Sequence, residues 1–152
     1  MNKKMILTLI DKVIKVDRGG PESRVGLLLG AHEDHITLLT EDEGIIYYKT
    51  QHIKSLTLNA KNEEELDFEV PEDFKFVKAK DFKGVLEKLC YRWVKVNRGG
   101  PETLEGVMDD VNDDFVTIVS NEEIIKLSMF HIRNISYGVK VEKAKKDENE
   151  KR

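Results

Sequence analysis

The chain has 152 residues, 39% of them hydrophobic and 36% charged, with a net charge of −4. That balance supplies a core under a strongly solvated surface and excludes a low-complexity chain, while no apolar run approaches the ~18 residues of a membrane-spanning helix. The single cysteine, Cys90, excludes an intramolecular disulfide framework and fits synthesis in a reducing compartment.

The N-terminus reads M-N-K-K-M-I-L-T-L-I-D-K. Basic residues before an apolar run imitate a secretory leader, but the run stops at Asp11 and no small-residue cleavage site follows, so no signal peptide is expected. Met5, Ile6, Leu9 and Ile10 lie at helical spacing and predict a short amphipathic helix. Ile14 and Val16 then alternate with Lys15, the pattern of a half-buried strand. That strand runs into K-V-D-R-G-G-P-E-S, residues 15–23. Two glycines supply backbone conformations closed to other residues, and the proline fixes φ and withholds an N–H, so the phrase is a turn. A second strand, Val25 to Leu29, carries Gly26, which inside a strand marks a bulge or a sharp bend. The hairpin A-H-E-D-H leads to a third strand through Ile36 and Leu38, and E-D-E-G leads to a fourth, I-I-Y-Y. The segment closes on H-I-K-S-L, where Ile53 and Leu56 are spaced as in one tight helical turn before a final short strand.

The same order is then written again. Asp81 is placed to cap a helix over Phe82 to Cys90, Val94 and Val96 flank Lys95, and K-V-N-R-G-G-P-E-T occupies residues 95–103. Arg98 stands eighty residues after Arg18, and Gly106 repeats Gly26 in the next strand. One residue is lost before I-I-K-L, so the closing H-I-R-N-I stands seventy-nine residues after H-I-K-S-L. A repeat this long in a chain this short predicts two copies of one small unit. The expected fold is mainly β with short α: two five-stranded units, 1–58 and 80–139, each preceded by a short helix and resembling the Sm-like variety of small SH3-like barrel. Between them, residues 59–79 have linker composition, with Glu63, Glu64, Glu65, Asp67, Glu69, Glu72 and Asp73. Phe74, Phe76 and Val77 suggest an extra strand at 74–78, and 140–152 form a mixed-charge tail.

The candidate functional residues are those written twice: Arg18, Gly19, Gly20, Pro21 and Glu22 with Arg98, Gly99, Gly100, Pro101 and Glu102, and the closing His52 and Ile53 with His131 and Ile132. A charged pair is expected to close across each turn, Arg18 to Glu22 and Arg98 to Glu102. No catalytic site is expected, because the repeated set is glycine, proline, arginine, glutamate and one histidine, with no nucleophile held by partners; His52 and His131 are the best acid/base candidates, and each reads first as capping the tight turn or packing beside the last strand. Neither metal nor cofactor is expected. His32 and His35 become Asn112 and Phe115 in the second copy, and the acidic hairpin of Asp109, Asp110, Asp113 and Asp114 lacks the ligand spacing of a calcium loop. Cys90 reads as a small buried hydrophobe; Trp93, at the position of Val13, reads as a packed residue first and as an interdomain plug or part of a partner surface second. The alternative function is an Sm-like nucleic-acid-binding module, since such barrels often bind RNA, but nucleic acid is not the expected partner: the hairpins lack the aspartate–asparagine and arginine–glycine patterns of RNA-binding Sm-like units, and the net charge is acidic. No small-molecule substrate is expected either.

The doubled R-G-G-P-E phrase together with the H-I-K-S and H-I-R-N closings resembles the spore coat protein B (CotB) family of endospore-forming bacilli, over nearly the whole chain up to the tail. The resemblance implies a non-enzymatic structural component of the outer spore coat, made in the mother-cell cytoplasm and assembled around the spore with other coat proteins as partners. The duplication adds an expectation of multivalent contact and leaves homo-oligomerisation open. The long serine- and lysine-rich C-terminal extension of larger members has no counterpart here beyond the tail after Val141, so behaviour that depends on it is not carried over.

Overall fold

The computed structural model describes residues 1–58, 69–100, 102–139 and 141. Pro101, the acidic linker's Glu63, Glu64, Glu65 and Asp67, and the tail beyond Val141 lie outside the described residues. The first half comprises α1 (Lys3–Leu7), β1 (Val13–Val16), β2 (Arg24–Ala31), β3 (His35–Thr40), β4 (Gly44–Lys49), a 3-10 turn (Thr50–His52) and β5 (Leu56–Thr57). The second comprises α2 (Phe82–Lys88), β6 (Trp93–Val96), β7 (Leu104–Val111), β8 (Phe115–Ser120), β9 (Glu123–Ser128), a 3-10 turn (Met129–His131) and β10 (Asn134–Ser136). The expected element order is therefore present in both halves.

Local chemistry sets the boundaries. Asn2 caps α1 by accepting the Lys4 amide at 2.7 Å, and Asp81 caps α2 by accepting the Gly84 amide at 2.8 Å. Each helix gives way to a residue at positive φ, Asp11 at 66° and Tyr91 at 68°, which turns the chain towards its first strand. In β2 and β7 the glycines answer a close approach. A Cβ on Gly26 would stand 2.5 Å from the Leu39 carbonyl oxygen, and one on Gly106 would stand 2.5 Å from that of Val119. The bulges fall a few residues on, at Leu28/Gly30 against β3 and at Met108/Asp110 against β8. A bulge bends its strand and increases the local twist.

All ten strands form one antiparallel sheet in the order β5-β1-β2-β3-β4-β10-β6-β7-β8-β9. The expectation of two closed barrels is corrected here, because the sheet is open. The reason is visible at β4, whose outer edge pairs with β10 of the other half instead of returning to its own β5. Asn134, Ile135 and Ser136 stand opposite Tyr48, Tyr47 and Ile46.

Two cores flank this sheet. One gathers Ile6, Ile14, Val16, Ile36, Leu38, Ile46 and Tyr48, and the other gathers Phe82, Val85, Leu86, Val94, Val96 and Ile118. The second also takes Leu39, Ile45 and Tyr47 from the opposite face of β3 and β4. Strands β3 and β4 are consequently buried at every position, whereas β9 alternates between exposed and half-buried.

The strand expected at 74–78 does not form. Val77 donates its amide to the Tyr137 hydroxyl and accepts the Tyr47 hydroxyl on its carbonyl, so its backbone is satisfied by side chains and joins no ladder. Trp93 is 51% exposed, with its indole N–H on Glu105 at 3.1 Å, which corrects the reading of it as packed. Val94 and Val96 point inward along β6, and the two-residue period of a strand puts Trp93 on the outer face.

Candidate functional site

The two R-G-G-P-E turns lie against each other at the joint between β4 and β10. Each follows its incoming strand through a residue in the left-handed region, Asp17 at φ 55° and Asn97 at φ 54°. Asp and Asn are the residues other than glycine that visit that region most readily. Their side chains tie each turn to the closing phrase of the same half. Asp17 Oδ1 accepts the amides of Lys54 at 2.7 Å and Ser55 at 3.3 Å. Asn97 Oδ1 accepts the amides of Arg133 at 2.7 Å and Asn134 at 3.4 Å, while its Nδ2 donates to the His131 carbonyl at 2.9 Å. Ser23 and Thr103 donate their hydroxyls back to the carbonyls of Asp17 and Asn97. Position 17/97 was not among the residues singled out from the sequence, although an Asp/Asn pair before a doubled Arg-Gly-Gly is the signal that could have found it.

In place of the expected pairs across each turn, Glu22 and Arg98 pair between the halves, with Arg133 and Glu43, while Glu102 and Arg24 pair with those same two residues inside their own half. Glu22 accepts Arg133 Nε on both oxygens, at 3.1 and 3.0 Å, and Asn134 Nδ2 at 3.1 Å. Arg133 also reaches Glu102 through Nη1 at 2.8 Å. Glu43 pairs with Arg24 at 2.9 Å and with Arg98 at 3.2 Å. Burial opposes the charge of Arg133, but the hydrogen bonds and attraction of Glu22 and Glu102 outweigh it and hold its pKa above the ordinary value. The same contest is settled the same way for Arg24, by Glu43. The turns also touch through backbone. A Cβ on Gly99, at φ +93°, would stand 1.9 Å from the Pro21 carbonyl oxygen. Gly19, at φ +68°, faces open space, and so does Gly20; Gly100 sits beside the Glu22 carboxylate, 3.5 Å from where its Cβ would be.

The closing residues extend the joint. His52 Nε2 donates to the Phe130 carbonyl at 2.9 Å, its ring edge-on to Phe130, and Lys49 Nζ donates to the Met129 carbonyl. Ile53 and Ile132 are buried, one in each core, while His131 is exposed against Phe130.

Against known proteins, no family model and no solved structure matches. The chain is 37% identical over 140 residues, 92% of its length, to Spore coat protein B of Bacillus subtilis (strain 168). It belongs to a spore coat protein B-like family. The matched region is 36% of that relative, so the chain spans about a third of the length of the relative it matches.

In this spore coat protein B-like chain, the groups that resemble catalytic ones are already engaged. A cleft of about 120 Å³ brings His52 beside Asp17 and Glu22, yet His52 Nε2 is on a carbonyl, Asp17 Oδ1 is on two amides and Glu22 is on Arg133 and Asn134. Its volume is below the ~300–1,000 Å³ usual for small-molecule sites. His32 and His35 stack at 4.5 Å, with His35 buried and bonded to Asp34. No group of three or more His, Cys, Asp or Glu side chains placed to hold a metal occurs among the described residues. Asp113 of the acidic hairpin pairs with Lys83 at 2.6 Å. Cys90 is half-buried beside the second core, and burial, with Asp110, Glu87 and Asp109 adding, pushes its thiol pKa up, the opposite of what a reactive thiolate requires.

Proposed function

We propose that the chain is a non-enzymatic structural component of the spore coat, acting through multivalent contacts with other coat proteins. The observation that carries this is the 37% identity to Spore coat protein B across 92% of the chain. The joint supports it, since Glu22, Arg98 and His52 of the doubled set are engaged in holding the two halves together and not in a reactive constellation. Residues 1–58 and 80–139 are read as tandem repeats of an opened Sm-like or SH3-like unit, joined by the linker 59–79. The shared strand order and paired bulges favour that reading. Its synthesis is assigned to the mother-cell cytoplasm and its destination to the outer coat, where two linked units raise effective concentration at a surface.

The test is a fluorescent fusion of the full chain expressed in sporulating bacilli from its native timing. Signal that collects around the developing spore and is retained after mother-cell lysis is expected. A signal that stays diffuse in the mother cell and is lost on lysis would overturn the assignment.

A further inference from the structure

The joint between β4 and β10 unites two unlike edges, and the chain carries one more edge of each kind. In the second half β9 stands where β4 stands in the first, and in the first half β5 stands where β10 stands in the second. Among the described residues, β9 pairs with β8 alone and β5 with β1 alone. β4 is buried at every position, whereas β9 alternates between exposed and half-buried and has no neighbour on its outer edge among the described residues.

The charges that pair from one half to the other recur on the open edges with every sign kept, although Arg24, which supports Glu43 from within the first half, is matched by Leu104. On the β4 side the joint uses Glu22 and Glu43, and on the β10 side Arg133 and Arg98. At the matching positions, the β9 edge carries Glu102 and Glu122, and the β5 edge carries Lys54 and Arg18. Arg18, Lys54 and Glu122 are exposed. They make no ion pair among the described residues. The apolar positions recur as well. Val85 of α2 and Ile45 of β4 are fully buried in one cluster, while their counterparts, Met5 of α1 and Ile124 of β9, are 43% and 70% exposed.

We infer that a second copy of this chain docks its β5 edge on β9 and repeats the internal joint between molecules. Carrying the β4·β10 register across places Ser55, Leu56 and Thr57 of one chain opposite Leu127, Lys126 and Ile125 of the next. It also sets Arg18 against Glu122 and Lys54 against Glu102. Because the two edges differ, the contact is heterologous. Every chain added leaves one edge of each kind open, so growth continues as a filament unless its curvature closes a ring. This rests on the assembly reading above and names the partner that reading leaves open.

Three full-length variants test it by light scattering after size exclusion, over a wide concentration range. Arg18→Glu and Glu122→Arg each alter one open edge at an exposed residue outside the internal joint. Each is expected to raise the concentration needed for assembly by about tenfold or more, the effect of losing one charge pair and gaining a like-charge contact, ~1.4 kcal/mol or more. An equimolar mixture of the two restores complementary edges and is expected to assemble like the wild type. Lys126→Pro removes an amide that points away from β8, a place where an edge strand tolerates proline, and is expected to block growth while circular dichroism shows the fold intact. A wild type that stays monomeric throughout, variants that assemble unchanged, or a mixture that fails to recover would each overturn the inference. The coat-localisation test reads a different quantity: a monomeric chain that still reaches the coat sinks self-pairing alone, whereas a chain that never reaches it sinks the functional assignment.

Discussion

The contact between the two turns makes a quantitative difference between two glycines that the sequence writes identically. Gly19 and Gly99 both have positive φ, +68° and +93°, so alanine at either costs about 1–2 kcal/mol in backbone strain. Only Gly99 has a neighbour in the way. Its added Cβ would stand 1.9 Å from the Pro21 carbonyl oxygen, where ordinary contact begins near 3.4 Å. The turns therefore have to part by roughly 1.5 Å, which is enough to stretch the Arg98–Glu43 pair beyond bonding distance, from 3.2 Å. A hydrogen bond to a charged group contributes about 1.5–3 kcal/mol, so Gly99→Ala is expected to destabilise by ~3–5 kcal/mol and Gly19→Ala by only ~1–2. Urea denaturation of both variants, with the midpoint converted through a common slope, measures the gap. Equal losses at the two positions would refute the contact between the turns.

Three further expectations follow from the same joint and its surroundings. Asn97→Ala removes three hydrogen bonds from a buried residue at positive φ and should cost ~2–4 kcal/mol in urea denaturation, while Asn97→Asp, which keeps the acceptor that Asp17 uses in the other half, should recover part of the loss. Glu22→Gln should cost ~1–3 kcal/mol and Glu102→Gln no more than ~1, because the Glu22 side chain is 23% exposed and bridges two partners, whereas that of Glu102 is 65% exposed and holds one; equal costs would argue against an asymmetric joint. Burial, with His35 and Lys3 adding, lowers the His32 pKa below 6.5 against the pull of Asp34. The unfolded chain then binds more protons than the folded one in the window just below 6.5, so this contribution is full above that pH and is lost as pH falls through the lowered value. Thermal unfolding from neutral pH down through that window should show a slope that His32→Gln reduces.

Much of the architecture was legible because the chain states it twice. The weak helical pattern of Met5, Ile6 and Leu9 gained support from Val85, Leu86 and Leu89, and both copies kept the glycine at the close approach to the next strand. The pairing of β4 with β10 was not legible, because period-two alternation identifies a strand's faces and carries no information about which edge meets which. The same gap explains the misread charges. Arg18 and Glu22 are near in sequence, but Glu22 finds Arg133 at a separation of 111 residues, and nothing in a local window weighs that partner against the nearby one. The extra strand at 74–78 failed for another reason: its apolar residues do face a core, but two tyrosine hydroxyls satisfy the backbone that a ladder would have used. The exposure of Trp93 was within reach, since the parity of Val94 and Val96 already assigned it to the outer face.

The geometry of the joint constrains what the twice-written phrase can do. Had the two halves met through like edges, β4 against β9, a two-fold relation would have placed both turns in equivalent surroundings and consumed one edge type entirely. The observed surroundings are unequal. Glu22 is held between Arg133 and Asn134 while Glu102 remains largely exposed, and Arg98 is paired while Arg18 is exposed without an ion pair among the described residues. Matching phrases in different environments are what a head-to-tail joint makes of a phrase written twice: the first turn acts as the carboxylate side and the second as the guanidinium side. The unused side of each turn keeps the charge that the joint would require of it, so the residues that hold this chain together internally are the same kinds of residues it presents at its two open edges.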